Sequence, residues 1–107
     1  MLIQKILNDG CIKSLKETIE LYPEIMTDDD IISVYYALKT NTLPLLSANE
    51  IVGWTESEIV GRGTAINVEC MFNLVRDGYE WIDYPIVEQK KIVAQNIKKR
   101  LRVKKIK

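Results

Sequence analysis

Apolar and polar positions alternate along this chain with helical spacing almost throughout. Met1 to Leu7 forms a short apolar-faced stretch that stops at Asn8-Asp9-Gly10, a turn signal. Ile12, Leu15, Ile19 and Tyr22 then share one helix face, and Pro23 ends that helix because the residue before a proline is pushed out of the helical region. Thr27 stands three residues before Asp30, a capping box that starts the next helix, with Ile31, Val34, Tyr35 and Leu38 as its buried stripe. Asp28, Asp29 and Asp30 suit the positive end of that helix dipole.

Two further capping boxes follow eight residues apart, Ser47 with Glu50 and Thr55 with Glu58. In each, the hydroxyl accepts from an orphan N–H of the first turn and the carboxylate reaches back to the cap's own N–H. Leu46 with Ile51 and Trp54 with Ile59 supply the accompanying apolar staples. The spacing predicts two short helices, about Ala48 to Val52 and Glu56 to Val60, interrupted by Gly61-Arg62-Gly63. Thr64 is placed to cap a longer helix from Ala65 to Arg76 that ends at Gly78 and is apolar nearly all round, as a central core helix would be. Tyr79, Trp81, Ile82 and Tyr84 suggest either a short β-ribbon over 78–84 or an aromatic loop. Pro85 suits the first turn of a last helix running to about Lys105, with Val93, Ile97 and Leu101 inside. The expected fold is therefore all-α: a compact bundle of five to seven helices, with the β-ribbon as the alternative feature.

Residues 45–64 resemble, in part, the helix-turn-helix motif of DNA-binding proteins. Gly53 falls at the turn glycine, and Val52, Trp54 and Ile59 fall at its buried positions. Asn49 stands where a small alanine is usual, and Arg62 where an apolar residue is buried. The recognition helix that the resemblance implies would show Glu56, Ser57, Val60 and Gly61 to the groove, with no Arg or Lys among them.

Composition narrows the chemistry. The chain has 107 residues, enough for one core, and reads as one helical domain over 1–97 with a basic helix end or tail over 98–107. It has no histidine, which removes the commonest general base and metal ligand. No phosphate loop, nucleophile elbow or paired-cysteine motif is present, so no enzyme, cofactor or metal is expected. Asp28-Asp29-Asp30 lacks the alternating oxygen ligands, bend glycine and closing Glu of a calcium loop. Cys11 and Cys70 are expected as reduced, buried small hydrophobes. No apolar run approaches the ~20 residues of a membrane span, and the opening residues lack a secretory signal, so a cytoplasmic protein is expected.

Net charge is zero but unevenly placed. The last ten residues carry seven basic side chains, and the remainder holds eight basic and fifteen acidic ones, −7 against +7. Lys98, Lys99, Arg100, Arg102, Lys104 and Lys105, with Arg62, are the candidate nucleic-acid contacts, and Lys90 and Lys91 add to the same helix. The same tail would also fit against the acidic body. A second reading is a small protein-binding inhibitor or adaptor of mobile-element type, with Glu56, Tyr79 and Trp81 on its contact face. A homodimer is compatible with either. The sequence thus predicts a small binding protein, first a nucleic-acid-associated regulator and alternatively a protein-binding module.

Overall fold

A computed structural model describes residues 2–40, 46–52, 77–78 and 84–103. Among these residues the chain is mostly helical, with five helices and no strand. They are α1 (Leu2–Asp9), α2 (Ile12–Leu21), α3 (Asp28–Thr40), α4 (Ala48–Val52) and α5 (Ile86–Leu101). The expected helices after Gly53 and the aromatic segment over 79–83 lie outside the described residues. The Cα radius of gyration, 13.6 Å, is close to the ~13 Å of a compact chain of this length.

Local chemistry sets the first three helices. α1 buries Ile6 and half-buries Ile3 and Leu7. Its end is closed by Gly10 at φ +64°, whose N–H donates to the carbonyls of Ile6 (3.1 Å) and Leu7 (3.2 Å). Glycine adopts this left-handed conformation without a Cβ penalty. α2 buries Leu15 and Ile19 and passes at Tyr22 into a tight turn, where the Tyr22 carbonyl accepts from Ile25 N–H at 3.1 Å. Met26 then tucks into the core, and Thr27 Oγ1 accepts from Asp30 N–H at 3.2 Å to start α3.

α3 is central among the described helices, touching all four others. Its burial is wider than the single stripe predicted: Ile31, Ile32, Val34, Tyr35, Tyr36 and Ala37 are all buried. A helix with neighbours on several sides hides several faces. α4 begins with the reciprocal capping box: Glu50 N–H donates to Ser47 Oγ at 3.2 Å, and Ser47 N–H to Glu50 Oε2 at 3.4 Å. Ala48, Ile51 and Val52 are buried against α3 and α5, and Leu46 joins the same core.

α5 completes the core with Val93, Ala94, Ile97 and Leu101. Pro85 sits just before the helix rather than inside its first turn, its carbonyl accepting from Gln89 N–H at 3.0 Å. Gln89 is buried, and its side-chain amide donates to the Tyr84 carbonyl at 3.1 Å. Among the described helices, α3 and α5 share the most extensive contact. No described helix is long and apolar enough to cross a membrane.

Candidate nucleic-acid interface

The basic end of α5 is shaped by how the helix stops. Periodicity alone extends it to about Lys105, but the helix ends at Leu101. Arg102 turns left-handed (φ 57°, ψ 43°), and its N–H donates to the Lys99 carbonyl at 3.1 Å. Val103 N–H donates to the Lys98 carbonyl, also at 3.1 Å, and the Val103 side chain packs back against the core. These paired bonds are a Schellman closure, with arginine where glycine is usual. The cause of the early stop is apolar: continuing the helix would rotate Val103 away from the core it now meets.

Three of the predicted contacts, Lys99, Arg100 and Arg102, are exposed within this closing turn. Lys98, Lys99 and Arg100 also lie at the negative end of the helix dipole, which favours cations there whatever they bind. Lys98 is partly engaged, its Nζ 3.9 Å from Asp28 Oδ1. Lys90 departs further from the exposed position predicted for it: only 18% of its side chain is exposed, and its Nζ lies 3.2 Å from both Asp29 carboxylate oxygens. Lys91 pairs along the helix with Glu88 at 3.6 Å. Part of the basic helix thus lies against the acidic start of α3, as the opposed charges of tail and body allow.

Lys90 and Lys98 are eight residues, ~12 Å, apart on α5, so the start of α3 meets α5 side-on between them. Ala94, midway in the same row, is fully buried.

Lys104, Lys105 and Arg62 lie outside the described residues, as do Glu56, Tyr79 and Trp81 of the alternative contact face. Of residues 45–64, which resemble the helix-turn-helix motif in part, only 46–52 are described. There Asn49 is exposed, at the position where the motif usually carries a small alanine.

Cys11 corrects an expectation. It is exposed rather than buried, because it occupies the extended N-cap position of α2 directly after the Gly10 turn. The Ser14 backbone N–H and then the Ser14 hydroxyl, 3.8 Å from Sγ, hold its pKa below the ordinary thiol value, against the opposing charge of Asp9. Cysteine is not among the preferred cap residues and makes no side-chain cap bond here, so the sequence carried no signal for this position.

No protein-family model matches the sequence, and neither a curated protein nor a solved structure matches it.

Proposed function

We propose that this protein is a small, non-enzymatic nucleic-acid-associated binding protein that contacts phosphates through the closing turn of α5. The observation that carries the reading is the exposure of Lys99, Arg100 and Arg102 together in one turn, on a helix anchored to the core by Ile97, Leu101 and Val103. An anchored cation cluster meets phosphates with less ordering cost than a loose tail. α4 is less suited to the task, since its exposed residues include Glu50, which phosphates repel.

Fluorescence anisotropy with labelled duplex and single-stranded oligonucleotides tests this. Three phosphate contacts on duplex DNA predict a roughly 40-fold loss of affinity between ~50 and 200 mM salt, and six predict on the order of a thousandfold. K99A/R100A/R102A is the informative variant, because it leaves Leu101 and Val103 in place. Binding that weakens with salt and is lost in this variant supports the reading. Absence of binding by the full chain at ~50 mM salt rejects it.

A further inference from the structure

The ion pairs Asp29–Lys90 and Asp28–Lys98 both join α3 to α5, and they differ in kind. Lys90 Nζ lies 3.2 Å from both Asp29 carboxylate oxygens, with only 18% of the lysine side chain exposed. That pair is short and shielded on its cationic side. Lys98 Nζ lies 3.9 Å from Asp28 Oδ1, and the two side chains are 41% and 42% exposed. The second pair is long, and water reaches both of its partners. An anion from solution therefore competes for Lys98 far more readily than for Lys90.

Asp28 and Lys98 also hold favourable positions without each other. Asp28 opens α3 at the positive end of its dipole, and Lys98 lies in the last turn of α5 at the negative end. Separating them leaves each charge in a favourable field and partly in water, so exchanging the partner costs little. The helices themselves stay put, because Ile31 and Val34 of α3 share one core with Val93 and Ile97 of α5. Lys98 belongs to the closing turn: it directly precedes Lys99, and its carbonyl accepts from Val103 N–H at 3.1 Å. A fixed carboxylate thus stands at the edge of the cation cluster.

We propose that Asp28 is a built-in competitor at this turn, holding Lys98 when no nucleic acid is bound and yielding it to a phosphate oxygen when one is. The inference rests on the phosphate-contacting reading of the turn and names how that surface is restrained. Asp28 repels any incoming phosphate, so the contact must be won against it. A strand offsets that repulsion with neighbouring phosphates on Lys99, Arg100 and Arg102, which an isolated phosphate cannot engage together. The carboxylate therefore lowers affinity overall and favours a polyanionic strand over single phosphates.

Fluorescence anisotropy of a labelled duplex oligonucleotide at ~50 mM salt tests this, with the full chain as wild type, D28N, K98M and D28N/K98M. D28S is a second neutral variant at the same position, and circular dichroism checks that each variant folds. K98M retains Lys99, Arg100 and Arg102, so its binding stays measurable. D28N should bind roughly fivefold more tightly than wild type, the worth of one unit charge near 4 Å in water. In the K98M background the same substitution should gain less than about twofold, because the cation that Asp28 withholds is gone. Wild-type binding that neither D28N nor D28S strengthens overturns the inference and leaves the phosphate reading standing. An equal gain with and without Lys98 also overturns it, since Asp28 would then act by its field alone. No binding by wild type, D28N or D28S overturns both.

Discussion

Asp29 and Lys90, 61 residues apart in sequence, meet at 3.2 Å where the start of α3 crosses α5. Lys90 is mostly shielded while Asp29 faces water, so the two partners are not equivalent. Removing the carboxylate leaves a half-buried ammonium with a weakened partner. D29N is expected to cost about 1 kcal/mol, combining the pair with the loss of a favourable helix-dipole charge. K90M keeps the apolar stem and removes the charge, and should be close to neutral. Urea denaturation of both variants and the double mutant checks this; a D29N midpoint equal to wild type would show the pair contributes nothing.

Arg102 occupies a conformation that costs an L-residue about 1–2 kcal/mol, whereas glycine adopts it freely but gains entropy in the unfolded chain. R102G should therefore raise stability by roughly 0.5–1 kcal/mol while weakening oligonucleotide binding. Opposite signs in denaturation and anisotropy separate the role of the backbone from that of the guanidinium. A destabilised R102G would mean that the side chain outweighs the strain.

Ala94 is the one small side chain in the row between the two paired lysines. A94L should overpack the core around this fully buried position and cost about 2 kcal/mol. It should also abolish the coupling between Asp28 and Lys98, whose Nζ–O distance is already 3.9 Å. A double-mutant cycle run in the A94L background measures that loss.

Cys11 should be alkylated with a pH midpoint below that of the urea-unfolded chain, because Ser14 stabilises the folded thiolate. A depressed folded pKa makes this contribution to stability present above the unfolded thiol pKa and lost as pH falls through the folded value. S14A removes the hydroxyl and should move the midpoint up. Mass spectrometry of the Cys11 peptide after iodoacetamide pulses reads it separately from Cys70.

Much of the fold's local grammar was legible. Thr27 with Asp30 and Ser47 with Glu50 start helices where their spacing places them. Pro23 lies in the turn that follows α2, as predicted. Termination at Leu101 was not legible, because Arg102 carries no glycine signal and the stop depends on Val103 reaching the core. The shielding of Lys90 was equally hidden, since it depends on a partner 61 residues away. The uneven charge left a tail-to-body contact open as one alternative; Lys98 near Asp28 is such a contact, whereas Lys90 with Asp29 lies within the body. Of the candidate contacts, Lys98, Lys99, Arg100 and Arg102 are brought into the closing turn of α5.

The side-on crossing of α3 and α5 also implies an order of assembly. α1, α2 and α3 follow one another through connections of two and six residues, so their mutual contacts close quickly. Seating α5 closes a loop of some sixty residues, an added entropy cost of about 1.6 kcal/mol over a ten-residue loop. We expect α5 to dock after the rate-limiting barrier. Ile97→Ala should then speed unfolding while changing refolding little, and Leu15→Ala should slow refolding. Stopped-flow chevrons in which Ile97→Ala chiefly slows refolding would reverse that order.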